Sequence, residues 1–213
     1  MDNAVALVQA YLRLNGYFTV TEFPIIEALR HGGHRAATDI DVLAFRFPGA
    51  GRLVPRAGGS GRRDMIIAGP DTALGVPPDA PDMLIGEVKE SRAELNAAAT
   101  DAAVLRAVLV RFGCCRPADA DTTVQSLIRD GRAETSPGHA VRLVAFGSHA
   151  PEGRSPRHSI VLLETVVAFL EAYVADNWDV LRHAEFKDPA FGFLVTLFKS
   201  GHGRWDMARD VRG

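Results

Sequence analysis

Glu87 and Lys89 stand at the end of a short apolar run, Pro81-Asp82-Met83-Leu84-Ile85-Gly86-Glu87-Val88-Lys89. Met83, Leu84, Ile85 and Val88 are strand-forming residues, and Pro81 punctuates the start. Side chains alternate along a strand, so Glu87 and Lys89 share a face, roughly 6–7 Å apart. A buried charge is costly unless it is paired or binds a metal. The two residues are therefore either an ion pair at a strand exit or half of a metal-dependent hydrolytic site. A second apolar run, Thr38-Asp39-Ile40-Asp41-Val42-Leu43-Ala44-Phe45-Arg46-Phe47, carries acids at its entrance. Asp39 and Asp41 share one face by the same alternation. Paired strands lie about 4.8 Å apart. If these two pair, Asp41 and Glu87 can hold one divalent cation between them, with Lys89 beside it. Magnesium suits such a site, because it takes oxygen ligands, uses one or two carboxylates and keeps several waters.

Thr38 to Leu43 followed by Gly86-Glu87-Val88-Lys89 resembles the core motif of the restriction-endonuclease-like, or PD-(D/E)xK, nuclease superfamily, over roughly residues 1–148. The resemblance implies that Asp41 and Glu87 bind magnesium, with manganese able to substitute. It implies that Val88 adds a backbone carbonyl to the metal, and that Lys89 positions or activates the attacking water. The implied substrate is nucleic acid, DNA in the leading reading. Pro70-Asp71 matches the literal Pro-Asp spelling, but a turn explains that pair, and Asp41 has the apolar strand the site needs. Many members carry an acid on their first helix. Here the nearest polar residue of suitable length is Gln9, and Gln9, Glu22 and Asp39 are the accessory candidates.

The chain of 213 residues is long enough for one domain with a sizeable core, and 47% hydrophobic with 23% charged residues is ordinary for a globular protein. No segment reaches the roughly 18 apolar residues of a membrane span. The start, Met1-Asp2-Asn3, is acidic where a secretory signal would be basic. Cys114 and Cys115 are adjacent and make no disulfide framework, so a reduced, cytoplasmic protein is expected. A net charge of −2 gives no whole-protein attraction to nucleic acid. Local patches must supply it. Arg30 and Arg35 precede the Asp41 strand, and Arg52, Arg56, Arg62 and Arg63 form an acid-free arginine run up to position 63. Such clusters can follow a phosphate backbone. Of the 24 basic residues only Lys89, Lys187 and Lys199 are lysine, the cation whose proton affinity shifts readily enough for catalysis.

The elements that must position these groups follow from periodicity. Residues 3–15 form an amphipathic helix with Asn3 as its cap. Residues 17–27 form a strand that Pro24 places near an edge. Residues 28–37 form a basic loop, 38–47 the Asp41 strand, and 48–80 a Gly/Pro-rich connection with a short strand over 64–68. A helix is expected over 92–112, with Ser91 and Glu94 as a capping box. A further helix follows over 119–135, then a buried strand over 140–147. Helices are expected over 160–183 and 189–199, with a frayed end over 202–213. The prediction is α/β, a central mixed sheet of four to five strands flanked by helices, with a C-terminal helical extension. Residues 1–148 would form the nuclease-like core, and 159–213 helices packed on the same domain. The first three strands would form a meander, and a helical crossover would bring in the fourth. Two other classes compete with the nuclease: an inactive nuclease-fold protein that binds nucleic acid, and an oligomerising module that dimerises through the C-terminal helices.

Overall fold

The computed structural model describes residues 2–28, 32–50, 54–55, 65–66, 69–153 and 156–201. Helix α1 spans Asn3–Leu14 and buries Val5, Val8, Tyr11 and Leu12. Its cap is Asp2, one residue earlier than Asn3, and the Asp2 carboxylate accepts the Ala4 N–H at 3.0 Å. Strands β1 (Phe18–Ala28) and β2 (His34–Arg46) form a long antiparallel hairpin. Within the expected loop over 28–37, Ala28 and residues 34–37 belong to strands, because pairing continues out to Ala28↔His34. β1 pairs only with β2 among the described strands, so Pro24 sits in an edge strand, where its missing N–H does no harm.

The long connection carries a small antiparallel pair, β3 (Val54–Pro55) and β4 (Met65–Ile66), and a 3-10 turn at Thr72–Leu74. Asp71 caps that turn through the Ala73 N–H and also accepts the Tyr11 hydroxyl at 2.8 Å. Its role is structural, in line with the turn reading.

β5 (Asp82–Arg92) is the centre of the sheet. It runs antiparallel to β2 over Val42–Arg46 and parallel to β7 (Ala140–His149). β6 (Arg132–Glu134) pairs antiparallel with the start of β7, and β8 (Ser159–Leu162) pairs parallel with its end. The main sheet thus has six strands, with β1-β2-β5-β7-β6 in order and β8 also on β7. The first three form the meander, and α2 (Ala102–Arg111) and α3 (Ala120–Asp130) lie in the crossover to β7.

Three expected helices are shorter than periodicity suggested. Ser91 and Arg92 stay in β5, and the chain continues as an extended segment and a 3-10 turn at Ala98–Thr100 before α2. Asp101 caps α2 by accepting the Ala103 and Val104 N–H groups at 2.8 and 3.0 Å. Pairing with β7 as far as Arg92↔His149 outweighs the local capping box. The expected helix over 160–183 begins as β8, because Ile160 and Val161 complete the outer edge of β7. It continues as α4 (Leu163–Asp176) and α5 (Trp178–Leu181), and α6 (Pro189–Lys199) follows as expected. The helix read over 119–135 ends at Asp130. The end over 202–213 lies outside the described residues.

The sheet has a core on each face. Val42, Ala44, Leu84, Val88, Val144 and Phe146 pack with α1, α4 and α6. Ile40, Leu43, Met83, Ile85, Val141 and Leu143 pack with α2 and α3. No helix among the described residues is long and apolar enough to cross a membrane.

At the start of β5, Asp82 is fully buried. Arg142 of β7 grips it with two hydrogen bonds, Nε to Oδ1 at 2.9 Å and Nη2 to Oδ2 at 2.7 Å. Tyr17 donates its hydroxyl to the same carboxylate, and Arg142 Nη1 reaches the Leu74 carbonyl at 2.7 Å. Removing one partner of a buried pair strands the other charge. Arg142→Leu is expected to cost about 3–5 kcal/mol of unfolding free energy, read by urea denaturation.

Candidate active site

The β2–β5 ladder ends at Val42↔Gly86, one residue short of Asp41 and Glu87. Beyond that rung β2 continues with β1 alone, while β5 continues along β7. Asp41 closes the gap with its side chain, its Oδ2 accepting the Val88 N–H at 2.8 Å. The carboxylate takes the place of the backbone carbonyl that a continuing ladder would have offered.

Glu87 is buried, at 6% exposure, and Lys89 is half-buried on the same strand. Burial, then the charge of Asp41, push the Glu87 carboxyl up to about 7 from an ordinary 4.5. Lys89 and a hydrogen bond from Asn96 oppose the rise. Burial likewise raises Asp41, against the Val88 N–H and Lys89, and the nearby charges of Asp2 and Glu22 add to the rise. Lys89 thus acts on both carboxylates. The sequence motif and the fold agree in bringing Asp41, Glu87 and Lys89 to one end of the two central strands.

The other expected site residues fall at different distances from this centre. Val88 is bound through its N–H, and its side chain lies in the core with Phe146. Glu22 falls between the rungs Thr21↔Val42 and Phe23↔Ile40, opposite Asp41, in a left-handed backbone conformation with φ of 52°. Asp39 is exposed at the Pro24 rung. Gln9 is buried on α1, its amide 3.5 Å from the Thr21 hydroxyl. Arg35 pairs in the backbone ladder with Glu27, and its side chain lies outside the described part of the structure. Arg30, Arg52, Arg56, Arg62 and Arg63 lie outside the described residues.

Asn96 belongs to the site and escaped the sequence reading. Its Nδ2 donates to Glu87 Oε1 at 2.7 Å, and its Oδ1 accepts the Ala99 N–H at 2.6 Å. The second bond fixes the amide so that its donor end faces Glu87. Gly147 makes this approach possible. A Cβ on Gly147 would lie 2.4 Å from the Ala93 nitrogen, so only glycine lets the chain cross β7 there on its way to Asn96. The one available signal was Asn96 itself, a poor residue for the helix interior assigned to it.

Asp41 and Glu87 offer hard oxygen donors beside a backbone edge, the donor chemistry of a magnesium site that keeps several waters. Among the described residues no three of His, Cys, Asp and Glu gather into a metal-holding cluster. Any such ion would therefore rest on these two carboxylates, backbone carbonyl and water. Comparisons with protein-family models, with curated proteins and with solved structures find no match to this chain.

Two outcomes are expected. The folded protein holds a proton on Glu87 between about 4.5 and 7 that the unfolded chain releases. Stability should therefore fall as pH rises through that window, by up to about 3 kcal/mol at 1.36 kcal/mol per pKa unit. Glu87→Gln should flatten the slope in urea denaturation between pH 5 and 8. Asn96→Ala removes a bond to the charged form, so carboxyl-carbon NMR should find Glu87 titrating above its wild-type value.

Proposed function

We propose that this protein is a metal-dependent nuclease that hydrolyses phosphodiester bonds of DNA. The observation that carries this reading is the meeting of two carboxylates, half-buried Asp41 and buried Glu87, at the parted end of β2 and β5, with Lys89 beside them. Each carboxylate raises the proton demand of the site, and a divalent cation would relieve that repulsion better than a proton.

Asp41 and Glu87 would hold magnesium, or manganese in its place, with the Val88 carbonyl as a further ligand. The ion would supply charge neutralisation at phosphate and a more acidic bound water. Lys89 orients that water or accepts its proton. Asn96 keeps one Glu87 oxygen occupied, which leaves the other to face the ion. The arginines at 30, 35, 52, 56, 62 and 63 would hold the phosphate backbone, which positions a substrate without reading its sequence. Free, buried Cys114 and Cys115 support a reducing, cytoplasmic setting. Self-association through the C-terminal helices has the exposed Phe193 of α6 in its support.

One observation favours an inactive, nucleic-acid-binding relative. Gln9 occupies the first helix where an acid would assist the metal, and it is turned to Thr21. Cleavage of supercoiled and single-stranded DNA with magnesium or manganese separates the two readings. Wild type should cut, and Asp41→Ala and Lys89→Ala should each lose at least about 100-fold, the lower range for a lost acid–base group. Manganese should also raise the melting temperature of wild type at pH 8 and leave Glu87→Gln unmoved. A folded wild type that neither cuts nor is stabilised by metal would end the nuclease reading.

A further inference from the structure

The opposite pole of the sheet holds a separate concave site. β5 and β7 run parallel, with Asp82↔Ala140 at one end and Glu87↔Ala145 at the other. At about 3.3 Å per residue the two levels are roughly 16 Å apart. Around the Ala140 end lies a cavity of about 1260 Å³, with Arg129, Arg132, Arg157 and His158 in its lining. Leu74, Pro77 and Ala80 supply an apolar wall.

The edge of β7 explains why this hollow exists. β6 covers the first part of that edge and β8 the last, so the chain leaving α3 and the chain entering β8 meet between them. Gly131 ends α3 with φ of 69°, and a Cβ there would lie 2.4 Å from the Arg157 carbonyl oxygen. Arg157 in turn donates from Nη1 to the Arg129 carbonyl at 2.7 Å. The two segments are thus locked together and carry their guanidinium groups into one place.

Charge there is out of balance. Arg129 is bound to Asp130 at 2.8 Å, and the charges of Arg157 and Arg132 bear on that same carboxylate. Three guanidinium groups share it, and Glu134 is the other acid on the wall. A cleft lined with excess cation concentrates anions. His158 adds a second observation. Its Nε2 is buried and has no hydrogen-bond partner among the described residues, an arrangement that native structures seldom leave without a reason.

We propose that this cavity binds a small phosphate ester, the phosphate held by Arg132 and Arg157 and an apolar or aromatic body lying on Leu74, Pro77 and Ala80. Arginine forks match phosphate oxygens in pairs, and the volume exceeds what a mononucleotide needs. The site is independent of Asp41, Glu87 and Lys89, and it stands whether or not the protein cuts DNA. Two sources share this chemistry, a free nucleotide and the phosphorylated end of a nucleic-acid strand.

The test is isothermal titration calorimetry on the full chain without divalent metal. The probes are the four nucleoside monophosphates, inorganic pyrophosphate, and one short oligonucleotide with and without a 5′-phosphate. Wild type should bind a monophosphate or the phosphorylated oligonucleotide saturably, and the tighter of the two identifies the source. Arg132→Ala/Arg157→Ala should weaken that binding by about tenfold or more, the scale of lost charge-assisted hydrogen bonds. Arg132→Glu makes the same test without touching the Arg157–Arg129 bond, with folding checked by melting. Absence of saturable binding by wild type would overturn the proposal. So would binding by both variants equal to that of wild type, whereas equal binding of the oligonucleotide with and without its phosphate leaves the free nucleotide as the source.

Discussion

The hydrogen bond from the Val88 N–H to Asp41 is the contact on which the candidate site depends. A sheet cannot end a ladder in its middle without leaving backbone groups unpaired. Here β2 leaves β5 just after Val42↔Gly86, and the Asp41 side chain satisfies the next donor on β5. One carboxylate oxygen is committed to the Val88 N–H. Charge-assisted bonds of this kind contribute about 1.5–3 kcal/mol, and this one holds Asp41 beside Glu87, where burial raises the proton affinity of both carboxylates and the charge of Asp41 adds to the rise at Glu87. Chemistry and strand geometry are therefore solved by the same residue.

A second constraint sits at the far end of β5. The Asp82–Arg142 pair with Tyr17 ties β5, β7 and the start of β1 together, and a backbone bond to Leu74 draws in the connection before β5. Apolar packing on both faces covers the length between the poles. The stiff parallel pair β5–β7 sets the distance between the two concave regions, since each lies at one end of it.

The motif strands were legible because their pattern is local. Met83, Leu84, Ile85 and Val88 mark a buried strand, and an acid or base at its end stands out against that run. The edge position of Pro24 and the meander of the first strands followed from residue type and from short connections. Where periodicity misled, a partner distant in sequence had intervened. Ser91 and Glu94 spell a helix cap, yet β7 holds Arg92 in the sheet and the Ala93 N–H bonds the His149 carbonyl at 2.9 Å. Ile160 and Val161 suit a buried helix as well as a strand, and the open edge of β7 decided for the strand.

By itself the sequence determined the α/β class, the two central strands and the chemical identity of Asp41, Glu87 and Lys89. Alternation and apolar character act over a few residues, and the residues concerned are neighbours in the chain. Tertiary structure alone decided that Asn96 would grip Glu87, that Gly147 would let the chain pass, and that Arg132 and Arg157 would share a cavity. Each of these depends on segments brought together by β7, which is far from Glu87 along the chain but beside it in the sheet through the register Glu87↔Ala145. Contacts of that kind are set by packing and strand register across the whole domain, and no stretch of sequence carries them alone.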